Sequence, residues 1–148
     1  MPRTGRCCSR PPSSPTASLI WYAQVVIYTL FHRVGDAEYT AYHNDYSARI
    51  PFPVVVPGFA SFLLPLALLF LRPASVDGWM VVANAACGFV SLFVTVALEI
   101  PRHSRLQKGG KQDDVIRQLV AFNWPRTLAL TGSAILSYAM VLCAYWPI

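Results

Sequence analysis

Residues 78–100 read GWMVVANAACGFVSLFVTVALEI, and the fold turns on how they are understood. Their one charged side chain is Glu99, at the far end. As a helix rising about 1.5 Å per residue, the stretch reaches roughly 34 Å, enough to cross a hydrocarbon core of about 30 Å. An uncharged run of this length argues against a helix inside a soluble core and for a transmembrane span. Three more apolar runs lie around it. Residues 17–34, ASLIWYAQVVIYTLFHRV, reach only roughly 27 Å, so His32 and Arg33 belong at an interface. Residues 50–71 carry Pro53, Pro57 and Pro65. A proline inside a helix costs about 3 kcal/mol in water, but in a bilayer neighbouring helices can cover the freed carbonyls, so a kinked helix is expected. Residues 126–146 complete the set.

The totals agree. Of 148 residues, 55% are hydrophobic and 13% charged, against about 25% charged in an ordinary soluble domain. Mean hydropathy is +0.43. The expected fold is therefore all-α: a four-helix transmembrane bundle over residues 17–148, following a disordered tail at 1–16. The tail, MPRTGRCCSRPPSSPT, has no small-residue cleavage site of the signal-peptide kind. Cys7 and Cys8 lie in it, while Cys87 and Cys143 sit within apolar runs as packing residues, so no disulfide framework is expected. Trp21, Tyr22, Trp79, Tyr145 and Trp146 are expected at one interface and Trp124 at the opposite one.

Net charge is +5, and the basic residues flank the apolar runs. This suits phospholipid headgroups; with no basic helix or stacking platform beside them, nucleic acid is not an expected partner. Four spans place the tail, the 72–77 turn and the C-terminus together, with Arg3, Arg6, Arg10 and Arg72. The other side holds Arg33, Arg49, Arg102, Arg105, Lys108, Lys111, Arg117 and Arg126. The positive-inside rule then expects a multi-pass protein of the cell membrane with both termini non-cytoplasmic. Besides the lipid bilayer, a second copy or another membrane protein is the open class of partner.

Both long connections have helical rhythm. In the first, Tyr39, Tyr42, His43 and Tyr46 fall on one face, a stripe suited to lying at headgroup level or capping a bundle. In the second, Gly109-Gly110 forms a break. After it, Val115, Ile116, Leu119, Val120 and Phe122 oppose Lys111, Asp113, Asp114, Arg117 and Gln118, which predicts an amphipathic interfacial helix between the third and fourth spans. Asn123 and Pro125 are placed to start the fourth span, with Asn123 as its cap and Arg126 reaching the headgroups.

Glu99 is the one acidic residue within an apolar run. Such a carboxylate faces the bundle interior or a partner. His103 shares its face one turn on, although Pro101 between them can end the helix at Ile100. Ala83, Cys87, Ser91 and Thr95 form a small-residue stripe leading to Glu99, and Ser133 and Ser137 offer a counterpart on the fourth span. His32, His43 and His103 are all expected on the membrane side that also holds Glu99, Asn123 and Arg126. Four arrangements fit: an ionic lock of Glu99 with Arg102, Arg126 or a histidine; a metal-free pocket for a substrate; a non-haem iron site on His43, His103 and Glu99; and haem between two histidines. No cofactor is favoured.

AEYTAYH (37–43), EIPRHSRLQKG (99–109) and LVAFNWPRT (119–127) together resemble a group of uncharacterised small bacterial four-span membrane proteins, which share YH, P-x-H-x-x-L-x-x-G and N-W-x-R-T elements. The resemblance covers residues 19–146, implies a four-helix membrane fold, and points to Tyr42, His43, Pro101, His103, Leu106, Gly109, Asn123, Trp124, Arg126 and Thr127. It implies no activity. A more distant similarity, at the level of fold, is to the anthrone-oxygenase-like membrane proteins. Three functions follow as expectations. The first is a membrane protein whose polar cluster organises the bundle or a partner. The second is a membrane oxidoreductase or oxygenase acting on a lipophilic substrate, with His43 and His103 as base or ligands and Asn123 and Arg126 as anion or carbonyl contacts. The third, a small transporter subunit, is disfavoured because Glu99 lies far from a midplane site.

Overall fold

A computed structural model describes residues 15–145 of the chain. Five helical runs follow one another: α1 over residues 15–33, α2 at Asp36–Arg49, α3 at Pro51–Leu71, α4 at Gly78–Gly109 and α5 at Asp113–Tyr145. No strand occurs among the described residues. Helices α3, α4 and α5 are each long and apolar enough to cross a membrane. Their outer faces expose large apolar side chains, among them Leu63 and Phe70, Phe89 and Phe93, and Leu128 and Ile135. Water would make so much exposed apolar surface unfavourable, whereas hydrocarbon accepts it. The expected tail falls outside the described residues except at its last two positions, where α1 already begins, and Trp146 also lies outside them.

Helix α4 lies between α3 and α5, and α1 packs along α5. The approach of α3 to α4 shows how prolines are accommodated. Pro65 has no N–H, so the carbonyl of Ser61 has no partner within its own helix. That carbonyl meets α4 at Gly88, where a Cβ would stand only 2.7 Å from it. Glycine at 88 thus lets the neighbouring helix cover the freed oxygen. Two other prolines follow wide π-type turns. Val56 N–H bonds to Pro51 O just before Pro57, and Ile100 N–H bonds to Thr95 O just before Pro101. The extra residue in each turn makes room for the ring, so α4 runs through Pro101 instead of ending at Ile100. It stops at Gly109, and Gly110 takes φ +70°, a conformation suited to glycine.

The interfacial helix and the fourth span, expected as separate elements, form the single helix α5. Its buried stripe of Ile116, Leu119, Asn123, Thr127 and Leu130 keeps a spacing of three or four across Pro125, whose ring is exposed on the far side. Continuous burial of one face outweighs one missing backbone bond. Asn123 is consequently mid-helix and caps nothing. Trp21 and Trp124, expected at opposite interfaces, touch edge to face with centroids 5.7 Å apart, and Trp21 donates to Thr131 Oγ1 at 3.0 Å. The reason is depth: α1 starts at Pro15, so Trp21 sits well inside it and alongside the middle of α5.

Candidate functional site

Helix α2 closes one end of the molecule. Its stripe buries Tyr39 and His43, half-buries Tyr46 and leaves Tyr42 partly exposed. Phe31, at the end of α1, is completely buried and presents its edges to Tyr39, His43 and Tyr46. Leu106 of α4 and Ile116 and Leu119 of α5 complete this core. Edge-to-face and stacked rings hold such a junction in fixed geometry. His43 lies between two of them, stacked on Tyr39 at 5.5 Å and on His103 at 5.2 Å.

The two histidines from the separate connections therefore meet. His103 Nδ1 and His43 Nε2 are 3.1 Å apart. At its other edge, His103 Nε2 lies 3.4 Å from the Tyr28 hydroxyl and 4.0 Å from Glu99 Oε2. Two neutral arrangements are open to the pair, and in both His43 Nδ1 is without a hydrogen-bond partner among the described residues. Either His103 Nδ1–H donates to His43 and the Tyr28 hydroxyl donates to His103 Nε2, or His43 Nε2–H donates to His103 and His103 Nε2–H points to Glu99. Passing from the first to the second takes a proton in at His103 Nε2, shifts one from His103 Nδ1 to His43 Nε2 and releases one from His43 Nδ1. Burial lowers the His43 pKa to about 4, so this imidazole is neutral at pH 7. Burial also raises the Tyr39 and Tyr46 hydroxyls, which keep their protons.

Beside His103 is a pocket of about 480 Å³ with walls from all five helices, including Tyr28, Ser47, Val55, Glu99, His103 and Arg126. Glu99 is 2% exposed and Arg126 4% exposed. Among the described residues, neither Glu99 oxygen nor Arg126 Nε has a hydrogen-bond partner, and the two side chains form no ion pair with each other. The one hydrogen bond of the Arg126 side chain among the described residues is its donation to Asn123 Oδ1, at 3.5 Å, so the expected reach to headgroups is replaced by burial in the pocket. Arg102 turns the other way, donating to Leu98 O at 2.7 Å and Gln118 Oε1 at 3.2 Å, and takes no part in a lock with Glu99.

Asn123 ties α5 to α1. Its amide donates to Gln24 Oε1 at 2.7 Å, and the Gln24 amide donates to Val120 O at 3.0 Å, one residue before the carbonyl left free by Pro125. His32 stands apart, 2.9 Å from Asp113 Oδ1 at the start of α5, and Lys111 holds the same corner through the carbonyls of His32 and Val34. Gln24, Tyr28 and Tyr46 were not among the expected site residues. Gln24 carries a visible signal as the one amide in its apolar run, and Tyr46 belongs to the stripe of the first connection; Tyr28 carries none, since an aromatic residue in such a run is ordinary.

Glu99, His43 and His103 come together in a row, not around a point. His43 uses one nitrogen edge of His103 and Glu99 the other, so no single position faces all three as an iron site requires. Among the described residues no group of three His, Cys, Asp or Glu side chains is placed to hold a metal. Stacked rings with nitrogens 3.1 Å apart leave no room for a porphyrin between them. What the arrangement can do is receive a polar group beside Glu99 and Arg126 and exchange protons with His103. Set against protein-family models, curated proteins and solved structures, the chain matches none of them.

Proposed function

We propose that this is a four-pass membrane protein whose pocket at the α2 end binds a small lipophilic molecule and exchanges a proton with it through His103 and His43. The observation that carries the reading is the set of buried, unpartnered polar atoms of Glu99 and Arg126 lining one pocket. A cluster serving only to hold helices together would pair these groups with each other, because each buried charge left alone is costly. Apolar walls with a few convergent polar groups are the usual form of a small-molecule site. Ile50, Val54, Val55 and Ile100 form the apolar side, and Ile100 reaches the outer surface at 51% exposure. The molecule enters from lipid along this side, polar end first.

In this reading α1 is the remaining pass, α2 lies at the headgroup level, and both long connections face the cytoplasm, as the distribution of basic residues favours. His103 accepts a proton from the bound molecule at Nε2 while its Nδ1 proton passes to His43 Nε2, so the positive charge comes to rest for a moment on His43, where burial disfavours it, and the anion left on the molecule lies beside Arg126. The return transfer restores the pair, so the row can serve as general base and then general acid. An oxidoreductase or oxygenase would need an electron acceptor beyond these residues, and the donor set offers no metal position of its own.

The test is photolabelling in lipid nanodiscs with a long-chain alcohol bearing a diazirine. Label should concentrate on peptides containing residues 50–55 and 100–107, and Ser104→Trp, which fills the pocket, should reduce it severalfold. Label spread evenly over outer helix faces, indifferent to Ser104→Trp, would sink the reading.

A further inference from the structure

A second cavity lies at the end of the molecule away from α2, and its lining is almost wholly apolar. We propose that it is a phospholipid site, holding one acyl chain of an anionic lipid whose phosphate is bound by Arg72. Helix α4 lies between α3 and α5, so the two outer helices leave a cleft with α4 as its floor. The cleft has a volume of about 290 Å³ and shares no lining residue with the pocket beside His103. Leu68 of α3, Val81 of α4 and Ala144 of α5 line it, and Leu64 and Val141 are exposed on its two sides. In its depth the side chains of Asn84 and Ser137 bond to each other.

These walls belong to the three helices that are long and apolar enough to cross a membrane, so the cleft opens sideways to hydrocarbon. Apolar cavities stay dry, and an empty one forfeits dispersion contacts along its walls; an acyl chain supplies them. The lining runs from residue 64 to 72 on α3 and from 137 to 145 on α5. That is roughly 12 Å at about 1.5 Å per residue, within the depth of one leaflet of a core about 30 Å thick.

The head group is chosen at the outer end. Arg72 Nη1 donates to Val76 O at 2.7 Å, which folds the side chain back over the 72–77 turn. A Cβ at Gly78 would stand 3.8 Å from Arg72 Cζ, so the guanidinium rests against the start of α4. Among the described residues Arg72 forms no ion pair, not even with Asp77, the one carboxylate of the turn. Its remaining N–H groups suit the oxygens of a phosphate. Tyr145 is exposed beside it at the mouth, as amphipathic rings are at head-group level. A zwitterionic lipid brings the same chains but also its own ammonium group. One interfacial arginine therefore favours the anionic lipid by about fivefold.

The test places the full chain in phosphatidylcholine nanodiscs carrying a trace of phosphatidylglycerol or phosphatidylcholine with a diazirine in one acyl chain. The phosphatidylglycerol probe should label peptides containing residues 64–72 and 137–145 about fivefold more than the phosphatidylcholine probe. Arg72→Gln, whose amide can still donate to Val76 O, should make the two probes equal without moving the melting temperature. Ala144→Trp, which fills the cleft, should cut labelling by both. Should either variant fail to fold, the other still decides, together with the preference of the unaltered protein. Equal labelling by the two lipids before substitution, a preference that survives Arg72→Gln, or label spread evenly over the outer faces of α3, α4 and α5 would overturn the proposal. A diazirine-bearing free oleate that labels the cleft more strongly than phosphatidylglycerol would make the occupant a fatty acid and overturn it too.

Discussion

Two buried polar regions of this molecule are built in opposite ways. Between α4 and α5, Asn84 donates to Ser137 Oγ at 2.9 Å and accepts from Ser133 Oγ at 2.5 Å, so both ends of its amide join the two helices. At the α2 end, Glu99 and Arg126 are equally buried, line a common cavity and leave three polar atoms unpartnered among the described residues. Satisfied buried groups specify packing, whereas unsatisfied ones raise the free energy of the folded chain and persist where something other than stability retains them. The same chain thus separates its structural polar contacts from its candidate site.

That contrast can be broken or sharpened by substitution. The largest effect is expected at the structural end. Gly88→Leu forces a side chain into the backbone of α3, where a Cβ alone would stand 2.9 Å from Phe62 Cα, and should cost about 3 kcal/mol or more, read as loss of cooperative melting in detergent. Next comes acidification. His43 is held neutral with a pKa of about 4, below its ordinary value near 6.5, so between these values the unfolded chain takes up a proton that the folded chain refuses. Stability should be intact above pH 6.5 and fall as pH drops toward 4, and His43→Phe should flatten that part of the profile. Asn84→Leu should cost about 1 kcal/mol, the scale of interhelical hydrogen bonds in membranes. The smallest effect on melting belongs to Glu99→Gln, which should leave stability unchanged or slightly improved. If Glu99→Gln melted far below Asn84→Leu, the division between the two regions would dissolve.

Much of this was readable from residue order. Long uncharged runs announced helices for lipid, the tyrosine stripe announced a helix in the first connection, and Gly109-Gly110 announced the break after α4. Candidate site residues were legible because charged and imidazole groups are rare in such a chain. Asn123 shows the boundary of that method. Its place before Trp124-Pro125 reads locally as a helix start, yet a buried stripe shared with α1 and α4 carries the helix through the proline. Arg102 and Arg126 likewise look interchangeable as partners for Glu99 in a linear reading; the turn of each helix sends one toward Phe122 and Gln118 and the other into the pocket.

Composition and periodicity by themselves determined that this chain forms apolar helices and gathers Glu99, His43, His103, Asn123 and Arg126 toward one end, because burial and helical spacing are local properties of the chain. Only the tertiary structure decided that the two histidines touch, that Glu99 and Arg126 share a cavity without pairing, and that Ser61 meets Gly88. Those facts depend on the rotation and depth of each helix against its neighbours, which are set by contacts between residues far apart in the chain.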